Sequence, residues 1–268
     1  MATRKLFLVV LLLLGIAACS TAPKKHVAPK RSPAELARIP DAVPKVEPRS
    51  KLGNMKTYEV FGKRYYVLDN EDGFEQKGIA SWYGPQFHGK KTSSGEAYDM
   101  YAMTAAHKTL PLPSYLEVEN LENGRKVIVR VNDRGPFHDN RVVDLSYTAA
   151  IKLDMIAKGT ALVEIRAINP GTHRGGAAPA RPRSGAAKKG MPLDFYIQVG
   201  VFSDFNNAER LKNKLRALNT PVQLEATVLD SGVGFRVKIG PLNNIEVADE
   251  IVGRLEMFDI YDHRILLE

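Results

Sequence analysis

Apolar and polar positions alternate with two periods in this chain, and the change of period separates two folded regions. Residues 58–68 (YEVFGKRYYVL) alternate at period two around Gly62-Lys63, which predicts a hairpin opening the first region. From there to Ala167 the apolar runs are short, each closed by a cluster of Gly, Asp, Glu, His or Thr, and read as short strands. These include 126–131 and a last strand over 161–168. One helix is predicted near residues 146–157, with Asp144 or Ser146 in its N-cap region. Beyond Asn169-Pro170-Gly171 the pattern changes. Phe195, Ile197, Val199 and Val201 share one strand face, then Ala208, Leu211, Leu215 and Leu218 recur at helical spacing, and 222–229 is a further strand. The order repeats with Phe235, Val237 and Ile239, then Val247, Ala248, Ile251 and Leu255, then 260–267. A duplicated strand-helix-strand unit predicts a four-stranded sheet with both helices on one face. The other face then presents Tyr196, Gln198, Arg236 and Lys238, a set that suits sugars or oligonucleotides, or is simply solvated.

The ends of these regions differ in composition. Arg4 and Lys5 precede an apolar run over residues 6–14 and then Gly15-Ile16-Ala17-Ala18-Cys19, the parts of an export signal and too short to span a bilayer comfortably. Ile16-Ala17-Ala18-Cys19 resembles the lipobox of bacterial lipoproteins, which implies acylation and membrane anchoring at Cys19. Ser20 after it resembles the sorting signal for the outer membrane of Gram-negative bacteria. Cys19 is the only cysteine, so no internal disulfide forms. The formal net charge of +8 suggests nucleic acid until it is located. Residues 20–51 hold eight basic and three acidic side chains, and residues 171–190 hold five basic and none acidic. The positive balance therefore sits in Pro- and Ala-rich segments and not in a groove, which argues against nucleic acid and for anionic membrane or wall polymers. The organisation expected is a signal peptide over 1–19, a disordered tether over 20–57, a barrel domain over 58–170, a linker over 171–192 and a second domain over 193–268.

Candidate chemistry is concentrated between Gly78 and Tyr147. Glu96, His107, Asp133 and Asp144 are the potential acid/base groups, far enough apart in sequence that only a folded domain brings them together. Two carboxyl groups in unlike surroundings suit glycosidic bond cleavage. Each also has a plainer reading: Asp133 as a turn-capping aspartate, Asp144 as a helix cap, His107 as a packed histidine and Glu96 as a loop carboxylate. Trp82 and Tyr83 suit stacking on sugar rings or a place in the core.

The motifs GIASWYG, FHGKKT, GEAYD, TAAHKTLP, VRVNDRGPF and DLS stand here in the order that resembles the rare lipoprotein A family, bacterial cell-wall proteins. The resemblance implies a six-stranded double-psi β-barrel and a lytic transglycosylase that cuts between N-acetylmuramic acid and N-acetylglucosamine, leaving 1,6-anhydro ends without cofactor or metal. It points to Asp133 and Glu96 as the acid/base pair with His107 beside them, and to Trp82, Tyr83, Thr92 and Arg134 as substrate contacts. Asp144 is a rival acid, because an Asp in a comparable DL motif acts so in other double-psi barrels, including the membrane-bound lytic transglycosylase A family. Ser93-Ser94 departs modestly from the family pattern.

In the second region YIQVGVF and FRVKIGPL resemble the paired signatures of SPOR domains. That implies a small βαβ-βαβ domain binding glycan strands stripped of stem peptides at the division septum, with Gln198 and Arg236 on the binding face. The fold class expected is mainly β for the barrel and α+β for the SPOR domain. Partners among division-site proteins are not specified by the sequence. Two other functions compete with the transglycosylase: a non-catalytic wall-binding lipoprotein and a hydrolase that uses water.

Overall fold

The computed structural model describes residues 31–138, 140–171, 194–230 and 232–267. Six strands close into a barrel in the order β3-β7-β4-β6-β5-β8. They are β3 (Glu75–Trp82), β4 (Thr104–His107), β5 (Ser114–Asn120), β6 (Lys126–Asp133), β7 (Arg141–Leu145) and β8 (Ala161–Ile168). The pairs β3/β7 and β4/β6 are parallel and the rest antiparallel, giving the double-psi barrel expected from the motif order. Alternate apolar residues fill its interior, with Leu116, Val118, Val129, Val131, Val143, Leu145, Val163 and Ile165 fully buried. Six strands of this composition enclose a packed core and leave chemistry to the surface and rims.

The predicted hairpin forms as β1 (Thr57–Val60) and β2 (Lys63–Tyr66), but it is a separate two-stranded sheet and not a barrel strand. It packs through Tyr58 and Tyr65, stacked at 5.2 Å between ring centres, against Phe137. The helix after β7 is α2 (Tyr147–Lys152), shorter than expected, and its cap is Ser146, whose Oγ accepts from the Ala149 N–H. Asp144 is therefore a strand residue and not a cap.

A larger departure lies upstream. Residues 31–57 were expected to belong to a disordered tether, yet they run along the barrel as a strap. The strap begins with α1 (Pro33–Leu36), opened by a Ser32/Glu35 capping box. Leu36 is fully buried, and Ile39 and Ala42 pack against the barrel core. Lys152 reaches Asp41 and the Ile39 carbonyl, and Glu47 takes two bonds from Arg130. Three apolar residues and two placed acids are enough to seat a segment whose overall composition reads as linker.

The second domain has sheet order β10-β11-β9-β12, all antiparallel, from β9 (Phe195–Phe202), β10 (Val222–Leu229), β11 (Gly232–Leu242) and β12 (Arg264–Leu267). Helices α3 (Phe205–Leu215) and α4 (Ile245–Leu255) cover one face with Ala208, Leu215, Ala248, Ile251 and Leu255, as the duplicated pattern predicts. Ile79 and Leu162, which face outward from the barrel, join this second core. Asp249 of α4 meets Asn140 and Arg141 at the start of β7. Among the described residues no helix is long and apolar enough to cross a membrane.

Candidate active site

Two strand relationships bring the acidic residues together. Between β4 and β6 the register runs Ala105 beside Val131 and then Ala106 beside Asp133, leaving Asn132 as the extra residue of a bulge. A bulge re-aims the side chain after it. It breaks the alternation of Val127, Val129 and Val131 and sets Asp133 next to Ala106. On the other edge of β4, Ala106 partners Asp144 of β7, and Asp144 partners Ser81 of β3. Asp133, Ala106, Asp144 and Ser81 thus form one row across four strands. With strands spaced about 4.8 Å apart, the two aspartate Cα atoms are separated by roughly 10 Å. Ser81, Ala106 and Asp144 alternate with the core residues Ala80, Ala105, Val143 and Leu145, so this part of the row faces away from the barrel interior.

The two carboxyl groups have unlike surroundings. Oδ1 of Asp133 accepts three hydrogen bonds, from the Ser93 N–H at 2.8 Å, the Ser93 hydroxyl at 2.7 Å and the Arg134 N–H at 2.8 Å. Its Oδ2 faces the Tyr83 hydroxyl at 3.4 Å. Such an array of donors fits an ionised carboxylate. Among the described residues Asp144 has one hydrogen-bond donor, the Ser81 hydroxyl on Oδ1. Burial pushes its carboxyl above the usual range, opposed by the Ser81 bond and by the charges of Arg141, His138 and Lys108. The two carboxyl groups thus differ in their donors and in their burial.

Tyr83 lies between them. Burial, then the nearby Asp133 and Asp144, hold its phenol well above the ordinary value, so it stays protonated and donates. Its ring packs on Tyr98 and Phe87 at 5.0 and 6.0 Å. Trp82 likewise packs on the core and on Tyr147 at 5.4 Å. Both aromatics are partly buried, each with ring neighbours inside the barrel domain.

The other predicted residues divide similarly. Glu96 is bound by Arg130 at 3.0 and 2.9 Å and by Asn132 Nδ2 at 2.8 Å, beside the bulge, so its carboxylate is engaged in holding the rim. His107 is one residue past Ala106 and turns to the opposite side, buried and edge-on to Phe74 at 5.0 Å. Its Nδ1 accepts from the Thr109 and Leu110 N–H groups, which leaves the proton on Nε2, 3.4 Å from Gln76 Oε1. Burial, with Lys108 and Arg134 adding to it, pushes its pKa down to about 3. His107 is a neutral packed histidine and stands apart from the aspartate row. Thr92 is buried and bonds Glu96 O through both its N–H and its hydroxyl, closing the turn that presents Ser93. Arg134 is buried, and its guanidinium donates to the carbonyls of Gly53, His107 and Leu110 and to Asn54 Oδ1. It is an internal clamp and presents no fork to a substrate.

In the second domain Gln198 stands in the open-face row Gln223, Lys238, Gln198, Arg264. Arg236 is braced by Glu225 at 3.4 Å and Thr227 at 3.1 Å. Lys238 is buried, with its Nζ 4.2 Å from the Tyr196 ring centre and 3.3 Å from Glu225. Cys19 lies outside the described residues. Among the described residues no group of three or more His, Cys, Asp or Glu is placed to hold a metal ion.

Sequence reasoning missed Ser81, the Ser93 donors and the role of Ala106. Ser81 stands two residues before Tyr83, which follows directly after β3, and that spacing was the available signal. Nothing local marks Ala106 as a spacer, since its role comes from pairing with two strands distant in sequence.

A family model described as lytic transglycolase matches residues 75–165, and one described as SPOR domain matches residues 194–260. The chain is 39% identical over 257 residues to the endolytic peptidoglycan transglycosylase RlpA of Vibrio cholerae, covering 94% of this chain and 93% of that protein. It is 56% identical over 216 residues to the protein of the same name from Neisseria meningitidis serogroup A, covering 78% of this chain and 83% of that protein. Among solved structures, the RlpA SPOR domain from Pseudomonas aeruginosa aligns over 27% of this chain and 96% of that chain, with 25% identity and a TM-score of 0.26.

Proposed function

This chain belongs to the RlpA family of endolytic peptidoglycan transglycosylases, and we propose that it cleaves glycan strands with Asp144 as the acid and Asp133 as the base. The observation that carries the assignment is the row Asp133–Ala106–Asp144, two carboxyl groups flanking one small residue in opposite hydrogen-bond surroundings. Asp144, whose burial favours its protonated form, gives its proton to the glycosidic oxygen as the bond to C1 of N-acetylmuramic acid breaks. The 6-hydroxyl of the same sugar attacks C1, and Asp133 takes the hydroxyl proton. The product is a 1,6-anhydro end, and no water is consumed. Proximity favours this capture because nucleophile and electrophile belong to one ring. Ala106 is fully buried with Gly135 close over it and Asp144, and Tyr83 keeps its proton while donating to Asp133 Oδ2.

The open face of the second domain is proposed to hold glycan lacking stem peptides, through Tyr196, Gln198 and Arg236, and so to carry the enzyme to the septum. Cys19 is the proposed acylation site that ties the chain to the outer membrane. Mass spectrometry of peptide-free glycan strands incubated with the protein tests the reaction. Anhydro-ended fragments support it, reducing ends mean a hydrolase, and intact strands despite binding mean a wall-binding protein.

A further inference from the structure

We infer that residues 47–54 of the strap are positioning residues for the reaction, acting on Asp133 through the turn that carries Ser93. This rests on the assignment of Asp133 above, and it adds a part of the machinery that lies outside the matched barrel region of residues 75–165.

Four barrel residues, Ser94, Leu112, Arg134 and Arg130, bond to this short segment. The Ser50 hydroxyl donates to Ser94 O at 3.0 Å. The Ser50 N–H donates to Leu112 O at 2.8 Å, and Asn54 both accepts from the Leu112 N–H and donates to Ser50 O. Arg134, the neighbour of Asp133, donates to Gly53 O at 2.9 and 2.6 Å. Glu47 completes the set by binding Arg130 at 2.9 and 3.0 Å, and Arg130 in turn binds Glu96. Burial alone would raise the Glu47 carboxyl, yet the bonds from Arg130 and Tyr115 leave it below the ordinary range. The strap therefore holds both sides of Asp133: the turn at 92–96 that donates to it, and the arginine that follows it.

Gly53 makes the coupling specific. Its φ is +78°, in the left-handed region, and a Cβ there would stand 2.8 Å from Ser93 O and 2.9 Å from Leu112 Cδ1. Ser93 O belongs to the residue whose N–H and hydroxyl hold Asp133 Oδ1, so pressure on that carbonyl shifts the donors. Any side chain at position 53 displaces the turn. A displacement on the order of 1 Å at a catalytic group lowers turnover by as much as about 100-fold.

Gly62 provides the matched control. It has φ of +76° in the β1–β2 turn, and a Cβ there would meet nothing within 4 Å. Gly53→Ala and Gly62→Ala introduce the same backbone strain, and only the first presses on the site. The experiment is steady-state cleavage of peptide-free glycan strands by the full chain carrying Gly53→Ala, Gly62→Ala, Ser50→Ala or Asp133→Asn, with circular dichroism on each. Gly53→Ala is expected to lower kcat about 10-fold or more relative to Gly62→Ala with KM little changed, by the misplacement argument above. Ser50→Ala loses only one donor to Ser94 O, and its kcat is expected to fall about 3-fold or more in a folded protein. It decides the matter if Gly53→Ala does not fold. Wild-type kcat in both Ser50→Ala and Gly53→Ala, with Asp133→Asn inactive, overturns the role of the strap alone. Wild-type kcat in Asp133→Asn overturns the assignment of Asp133 and the inference with it.

Discussion

Asp133 and Asp144 share a single in-register neighbour, Ala106, on the strand between them. The proposed reaction uses both groups, which stand two strand widths apart in one row, with roughly 10 Å between their Cα atoms. Asparagine is nearly the same size as aspartate and neither donates nor accepts the catalytic proton. Asp133→Asn and Asp144→Asn are each expected to lower kcat by at least about 100-fold, the lower range for losing a positioned acid or base. Product analysis on folded variants checks this, and near-normal turnover in either one removes that residue from the mechanism.

Burial raises the Asp144 carboxyl, so rising pH ionises a group the fold disfavours as an anion. A group raised in the folded state contributes stability below its unfolded value and loses it as pH climbs through the folded value. Asp144→Asn is therefore expected to be more stable than wild type near pH 7 and no more stable near pH 3. Thermal melts across that range measure it. Equal pH dependence in the two proteins would contradict a raised carboxyl at this position.

Ser81 donates to Asp144 and favours its ionised form. Removing that donor in Ser81→Ala raises Asp144 further and moves the basic limb of the kcat profile to higher pH. A fall in kcat with no movement of that limb would assign Ser81 to packing instead.

The elements were legible where a period runs several residues, as in β6, β8, β9 and α4, because side-chain alternation reports a buried face directly. Motif order also located the aspartates and the barrel. What sequence could not give was the bulge at Asn132, which decides that Asp133 and not its neighbour faces Ala106, and the parity that turns His107 away. Both come from strand pairing between segments far apart in sequence. The strap reads as linker because Pro, Ala, Arg and Lys are its commonest residues, while Leu36, Ile39 and Glu47, the residues that seat it, are sparse.

His107 carries a different pH signature. Its pKa of about 3 in the folded barrel, against an ordinary value near 6.5, means that the unfolded chain binds a proton first as pH falls. Stability is therefore lost from about pH 6.5 downward, at up to about 1.4 kcal/mol per pH unit from this residue. Asn at this position keeps an acceptor for the Thr109 and Leu110 N–H groups and does not titrate. Urea unfolding at pH 7 and pH 5 should show wild type losing more stability than His107→Asn over that interval. If the two lose the same amount, the histidine is not held neutral.

The last expectation concerns the two domains. Ile79 and Leu162 face outward from the barrel, yet they are 0% and 3% exposed because they join the core of the second domain. Asp249 adds polar contacts with Asn140 and Arg141. A chain ending before Asp194 leaves both apolar side chains in water, at a cost of about 1.5–3 kcal/mol for each. Cleavage of soluble glycan strands by that truncated protein should persist, because the aspartate row and its donors all lie in residues 31–171. Its barrel should unfold at lower urea than in the full chain, and replacing Ile79 with Thr should recover solubility without changing kcat. Identical urea midpoints for the truncated and full-length barrels would mean that the domains do not pack through Ile79 and Leu162 in solution.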